Sequence, residues 1–242
     1  MSREINNISI VMPIYNEVDV IERVIRKYYN EFFKYCKKSE FIITEDGSTD
    51  GTKDVLEKLQ KELGFRLISS ADRKGYEKAR NDALKLAKNP LVFFSDSDGQ
   101  HDPKDFFGLY EEMKTKNADL IVGYKKERRD VLYRRLTSKF GNFLYGIMFG
   151  VWLRDTNCGF RIYKKEVIDA LVDDVKLFPY AGNAEFVIRA KHKGYNVVEY
   201  SVNHYKREVK EEGVVFSFRK MPKIIMKMII GMIKLRIELI KR

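Results

Sequence analysis

Cysteine, tryptophan, histidine and proline are scarce in these 242 residues, at two, one, three and five copies. Two cysteines, Cys36 and Cys158, cannot build a disulfide framework, so the sequence reads as one for a reducing compartment. No run of about 18 uncharged apolar residues occurs, which excludes an ordinary transmembrane helix. The opening Met-Ser-Arg-Glu-Ile-Asn-Asn has no apolar core, so no secretory leader is expected. Gly-x-Gly-x-x-Gly and Gly-x-x-x-x-Gly-Lys-Ser/Thr are both missing, which removes a classical dinucleotide or P-loop reading. Internal repeats and low-complexity linkers are also absent. A content of 44% hydrophobic and 33% charged residues excludes disorder, collagen and coiled coil. The chain is long enough for a sizeable core without metal or disulfide staples.

Acidic residues are thin in two places. The net charge is +11, of which residues 123–139 carry +5 and residues 206–242 carry +7, leaving the remainder at −1. Such basic segments suit anionic lipid, phosphate groups or nucleic acid.

The first half alternates short apolar runs with helical patterns. Strands are expected at Ile8–Met12 (ended by Pro13), Phe41–Thr44, Arg66–Ser69, Leu91–Ser95 and Leu120–Gly123. Helices are expected near Glu17–Lys37 with Asn16 as cap, Lys53–Leu63, Tyr76–Ala87 and Pro103–Lys114. A further helix near Asn183–Lys193 leads to a strand near Asn196–Val202. This alternation implies an α/β protein with a mostly parallel sheet covered on both faces. Ligands in such sheets bind beyond the carboxyl ends of the strands, where two acidic turns fall. One is Asp96-Ser97-Asp98, whose carboxylates can approach one hard divalent cation, Mg²⁺ or Mn²⁺, with Gln100 adding a carbonyl oxygen. The other is Glu45-Asp46-Gly47-Ser48, either a capping turn or a carboxylate placed to accept from a nucleobase or ribose.

Met12-Pro13-Ile14-Tyr15-Asn16-Glu17, then Glu45 to Thr52, then Asp96 to Pro103 resemble the serial motifs of family 2 glycosyltransferases with the GT-A fold. Arg134-Arg135-Leu136-Thr137-Ser138-Lys139, Asp155-Thr156-Asn157-Cys158-Gly159-Phe160 and Ala184 to Ala190 resemble later motifs of the polyprenyl-phosphate branch, whose members are dolichyl-phosphate mannosyl- or glucosyltransferases. The likeness covers roughly residues 8 to 216. It implies an inverting, metal-dependent transfer of a hexose from GDP-mannose or UDP-glucose to a polyprenyl (dolichyl) phosphate. Pro13, Tyr15, Glu17 and Asp46 would surround base and ribose, with Ser48 and Ser97 completing the donor site. Asp96, Asp98 and Gln100 would hold the metal on the diphosphate. Lys125, Arg134, Ser138 and Arg207 would bind donor and acceptor phosphates, and Asp155 would lie near the reacting centre. Four departures stand out: Glu45 where Asp is commoner, Lys125 for Arg, Cys158 for Ser, and Glu208 to Gly213 where Gly-x-Ser-Lys is expected.

A phosphate acceptor also makes physical sense. A sugar hydroxyl needs a general base, whereas a phosphate monoester, with a second pKa of about 6, is already an anionic nucleophile and needs cations to position it. The alternative is a family 2 enzyme acting on a glycan or glycolipid hydroxyl, with Asp155 or Glu185 as base. A non-enzymatic basic protein bound to membrane or nucleic acid is a third reading. The paired acidic turns would repel phosphates, so no nucleic-acid partner is expected.

In the tail, Lys220, Lys223, Lys227, Gly231, Lys234, Glu238 and Lys241 follow helical spacing and define one polar stripe opposite a broad apolar face. This describes a basic amphipathic helix on an anionic membrane surface or against a membrane-protein partner. Phe140–Leu153, with Tyr145, Phe149 and Trp152, is a second interfacial candidate. The expected organisation is a catalytic unit over 1–214, with a nucleotide-sugar half (1–123) and an acceptor half (124–214), and the helix over 215–242. It would work peripherally on the cytoplasmic face of a membrane.

Overall fold

The computed structural model describes residues 5–126, 132–207 and 221–241. In chain order the elements are β1 (Ile5–Asn6), β2 (Ile8–Ile14), α1 (Val18–Glu31), β3 (Cys36–Lys37), β4 (Glu40–Glu45), α2 (Thr52–Leu63), β5 (Arg66–Ser69), α3 (Tyr76–Lys85) and β6 (Leu91–Ser95). They continue with α4 (Asp105–Thr115), β7 (Leu120–Lys125), α5 (Leu132–Phe149), β8 (Phe160–Lys164), α6 (Lys165–Leu171), α7 (Gly182–His192), β9 (Val197–Val202) and α8 (Met221–Lys241). Seven strands form one sheet in the order β5-β4-β2-β6-β8-β7-β9, and β1 pairs with β3 beside it. Every pairing in the large sheet is parallel except those of β8, which runs antiparallel to both neighbours.

All seven residues of β2 are buried, because helices cover both faces of the central strands. On one side α1 contributes Val20, Ile21, Val24, Ile25 and Tyr28 at helical spacing. Phe32 leaves the end of that helix and packs on Phe106 at 4.2 Å and Phe93 at 5.4 Å. This inward turn ends α1 at Glu31, short of the Lys37 expected.

Several expectations are corrected. Pro13 does not end its strand: it lies inside β2, in register with Thr44. It is tolerated because pairing with β6 stops at Val11, so no partner on that side asks Pro13 for an N–H. Asn16 does not cap α1. Its φ is +50°, and its Oδ1 accepts the N–H of Thr49 at 2.9 Å. The first turn of α1 is satisfied from a distance instead: the N–H of Val18 donates to Asp50 Oδ2 (3.1 Å) and that of Glu17 to Thr52 Oγ1 (2.9 Å). Sequence reading also missed β8 and α6. The line drawn between halves at 123/124 falls inside β7, so both halves share one sheet, and the line at 214/215 lies outside the described residues.

The tail helix is turned differently from its sequence stripe. Gly231 and Glu238 face the body of the protein: Gly231 sits against the Leu177 carbonyl, and Glu238 Oε1 pairs with Arg189 at 3.0 Å. Ile224, Met232, Leu235 and Leu239 are buried beside them. Tyr145 is likewise inside, stacked on Phe178 at 5.8 Å, and Phe149 packs on the core, whereas Trp152 is exposed. Among the described residues no helix is long and apolar enough to cross a membrane.

Candidate active site

The carboxyl ends of β2, β4 and β6 and the amino end of β8 meet at one edge of the sheet, where Ser95 is in register with Phe160. The turns after β2 and β4 are stitched together. Ser48 Oγ accepts the N–H of Asn16 at 3.0 Å, and Glu45 Oε1 accepts the N–H of Ser48. Asp46 is buried and accepts two backbone N–H groups, from Lys74 at Oδ1 (2.8 Å) and Gly75 at Oδ2 (3.0 Å). It thereby anchors the 72–75 turn, which brings the Arg73 guanidinium over the Tyr15 ring at 4.0 Å. Gly47 has φ +71°, and a Cβ there would press on the backbone of Asp72 and Arg73 at 2.8 Å. Only glycine allows this approach.

The turn after β6 carries the acidic pair. Tyr76 Oη donates to Asp96 Oδ1 at 2.7 Å, and the N–H of Gln100 donates to Asp98 Oδ1 at 3.0 Å. Burial first, and then the charge of Asp98, push the Asp96 carboxyl up to about 6; Tyr76, Lys125 and Arg161 act the other way. The Asp96 N–H donates to the Gly159 carbonyl at 2.9 Å, and a Cβ on Gly159 would overlap the Asp96 carboxylate. The loop before β8 is therefore packed directly on the acidic turn.

That loop holds Asp155, which is buried. Arg161, fully buried near the start of β8, grips the loop by two carbonyls, Nε on Cys158 (2.9 Å) and a terminal nitrogen on Thr156 (3.2 Å), while the other terminal nitrogen ties it to the Asn183 carbonyl of α7 (3.2 Å). Glu199 Oε1 accepts the N–H groups of Arg154 (2.6 Å) and Asp155 (3.2 Å). From α5, Asn142 donates to the Arg154 carbonyl and accepts from Thr156 Oγ1, both at 2.6 Å. Ser138 is half-buried and lies one turn before Asn142, on the same face of α5. The Arg134 side chain lies outside the described residues.

Beyond β9, the N–H of Tyr205 donates to the Gln100 carbonyl (2.8 Å) and Gln100 Nε2 to the Tyr205 carbonyl (3.0 Å). This link carries Arg207 back across the site to Glu17 Oε1 at 2.6 Å. Burial pushes the Glu17 carboxyl up to about 7; Arg207 lowers it and Asp98 raises it. His101 is buried behind the turn, 5.0 Å from the Phe160 ring, and burial holds it well below the usual imidazole range.

The structure thus gathers Tyr15, Glu17, Asp46, Asp96, Asp98, Gln100, Arg207 and the Asp155 loop at one edge. Glu185 goes elsewhere. It is fully buried in α7, its Oε2 accepts the N–H groups of Leu177 (2.7 Å) and Phe178 (2.9 Å), and its Oε1 pairs with Arg189 at 2.8 Å. Both oxygens are engaged within the fold, by the 177–178 backbone and by Arg189, in the place where a base for a hydroxyl acceptor is expected from the sequence. Residues missed by sequence reasoning are Arg73, Tyr76, Asn142, Arg161 and Glu199. An arginine inside an apolar strand was the signal for Arg161; the others have no local signature.

Among the described residues no group of three or more His, Cys, Asp or Glu side chains forms a ready metal cage. Asp96 and Asp98 nonetheless fit a hard divalent ion, because two carboxylate oxygen donors stand on one turn, and burial, reinforced by the charge of Asp98, holds the Asp96 carboxyl above its ordinary range.

Residues 9–172, from β2 through α6 and so including the turns after β2, β4 and β6 and the Asp155 loop, match the model of glycosyl transferase family 2. The chain is 30% identical over 219 residues to a dodecaprenyl-phosphate galacturonate synthase of Rhizobium johnstonii, covering 88% of this chain and 63% of that protein. It is 29% identical over 203 residues to the glycosyltransferase AglD of Haloferax volcanii, covering 81% of this chain and 32% of that one. The chain therefore spans less than two thirds of the length of either relative. Among solved structures, glucosyl-3-phosphoglycerate synthase from Mycobacterium tuberculosis, in complex with Mn²⁺, UDP and phosphoglyceric acid, superposes with a TM-score of 0.70 at 17% identity, covering 95% of this chain and 78% of that one. With this fold and that match along most of its length, the chain has the GT-A fold and belongs to glycosyl transferase family 2.

Proposed function

We propose that the chain transfers a hexose from a nucleotide sugar to a polyprenyl (dolichyl) phosphate, with inversion at the anomeric carbon, on the cytoplasmic face of a membrane. The carrying observation is the contact between the Asp96–Asp98 turn and the Asp155 loop at Gly159. It sets the carboxylate pair, which would meet the donor diphosphate through a metal ion, against the segment that, through Asn142, is fixed to the basic helix α5. Asp96 and Asp98 would hold Mg²⁺ or Mn²⁺, with the Gln100 side chain adding an oxygen; such an ion supplies positive charge for the departing nucleoside diphosphate. Tyr15 and the Arg73 guanidinium stacked on it offer a flat surface beside the base, and Asp46 fixes the turn that carries Arg73. Arg207, which pairs with Glu17 at this edge, would meet phosphate oxygens. Lys125 and Ser138 flank the acceptor side, where an ionised phosphate attacks without a base. A relative named for a dodecaprenyl-phosphate sugar supports the acceptor class, and one named a glycosyltransferase supports the reaction class.

The test is transfer of radiolabel from GDP-mannose and UDP-glucose, offered separately, to a short polyprenyl phosphate in detergent. Label in the organic phase that EDTA abolishes is the expected result. Metal-dependent binding of the nucleotide sugar with no lipid product from either donor would refute the lipid-phosphate acceptor for these sugars.

A further inference from the structure

Among the described residues, every exposed large apolar side chain other than tyrosine lies on α5, on α8 or in the turn after α5. On α5 these are Leu136, Phe140, Phe143 and Ile147, at steps of 4, 3 and 4, with Trp152 edge-on to Phe143 at 6.4 Å. On α8, Ile225, Ile229, Ile233, Ile237 and Ile240 follow steps of 4, 4, 4 and 3. These are outward rows, since α8 buries Ile224, Met232, Leu235 and Leu239 on its other side and α5 buries Tyr145. The two helices pack on each other. Isolated exposed isoleucines are ordinary; two apolar rows on adjoining helices are not.

Charge identifies the occupant. Lys223, Lys227, Lys234, Arg236 and Lys241 are exposed along α8, and Arg135 and Lys139 along α5. α5 has no acidic residue, and the one acid of α8, Glu238, is paired inward with Arg189. A second copy of the chain would bring seven like charges against seven, and lysine is depleted from protein interfaces. An anionic bilayer surface satisfies both features, because isoleucine, phenylalanine and tryptophan enter the headgroup region while the lysines reach lipid phosphates.

We infer that α5 and α8 form one platform on which the protein rests against an anionic membrane. The surface is the outward rows of both helices, not the stripe that the tail sequence alone suggests. Resting on the proposed function, one consequence follows for catalysis. Asn142 joins α5 to the Asp155 loop by two hydrogen bonds, so the loop beside Asp96 lies about one helix diameter, roughly 10–12 Å, from the lipid. A phosphate carried by a membrane lipid then reaches the site from below without leaving the bilayer.

The test is flotation of the full chain with vesicles of phosphatidylcholine alone or with a third phosphatidylglycerol. No polyprenyl phosphate or nucleotide sugar is present, so the outcome is independent of the transfer reaction. The wild type is expected to float with the anionic vesicles, at least tenfold more than with neutral ones, and to be released by high salt. Lys227→Glu with Lys234→Glu should weaken partitioning about a hundredfold or more, from the known dependence on each basic residue near an anionic surface. Phe140→Ser with Ile233→Ser should weaken it at least tenfold, and both variants should melt within a few degrees of the wild type. Failure of the wild type to float with either vesicle would overturn the inference. So would a wild-type dimer that the Phe140→Ser, Ile233→Ser variant converts to monomer, since the face would then be a self-interface.

Discussion

Replacing Glu185 by glutamine separates the two jobs assigned to this carboxylate, a base for a hydroxyl acceptor and an anchor of the fold. The side chain is fully buried, and Arg189 beside it is 2% exposed. Removing one partner of a buried ion pair costs about 3–5 kcal/mol. Here Arg189 keeps Glu238, which is 31% exposed, so the guanidinium is not stranded and the lower end, about 3 kcal/mol, applies. The glutamine oxygen can still accept from Leu177 or Phe178, but as a neutral hydrogen bond of about half the strength. At about 2–4 °C per kcal/mol for a domain of this size, Glu185→Gln should lower the melting temperature by roughly 6–12 °C. In an Arg189→Met background the same change should cost much less, because the partner is already gone. Sugar transfer measured well below both melting temperatures should stay within about threefold of wild type. Circular dichroism melts of the four proteins, with transfer rates alongside, make the test. An unchanged melting temperature with transfer lost a hundredfold or more would refute the reasoning and restore Glu185 as a catalytic base.

Asp96→Asn with Asp98→Asn should abolish transfer and remove the stabilisation that millimolar Mn²⁺ gives the wild type in a melt; retained transfer would remove the metal from the proposed function. The metal-free protein should lose stability as pH rises from about 4 to about 7. Glu17 and Asp96 hold their protons more tightly folded than unfolded, so the unfolded chain ionises first over that window. The gain in melting temperature from Mn²⁺ should accordingly be larger near pH 7.5 than near pH 5, because the ion binds the ionised carboxylates; a gain that shrinks with pH would contradict this. Gly159→Ala should cut transfer severely by pushing on the Asp96 carboxylate, while Gly150→Ala, with open space around its Cβ position but a positive φ, should affect stability more than transfer.

Sequence patterns located the strands of the first half closely, and β6 begins and ends where its apolar run does, because a buried strand needs continuous apolar residues up to the acidic turn; β5, a half-exposed edge strand, was found from its short Leu67-Ile68 pair. β8 escaped because Phe-Arg-Ile-Tyr-Lys interrupts its apolar run with Arg161, whose burial makes sense only once the Thr156, Cys158 and Asn183 carbonyls surround it. The two acidic turns were legible as local motifs, but their junction with the Asp155 loop at Gly159 depends on an antiparallel insertion that no local period encodes. The surroundings of Glu185 were not legible, since its motif fixes where it lies in the chain and says nothing of Arg189 and the 177–178 backbone. The tail helix shows the same limit. It is apolar on more than one side, and only the packing of Gly231 against Leu177 and the ion pair of Glu238 decide which side turns inward.

The antiparallel course of β8 has a consequence for how the chain assembles. The strands β2, β4, β5 and β6 come from residues 8–95 and join through short crossovers, so this half-sheet can form early. Its last strand, Leu-Val-Phe-Phe-Ser, then waits as a bare edge, since its partner begins 65 residues later at Phe160. β7 emerges in between but cannot close that edge, because in the finished sheet it touches β8 and not β6. During synthesis β8 is the closing wedge that zips two partial sheets at once, and until it arrives the most apolar strand of the site is open to pairing with any other chain.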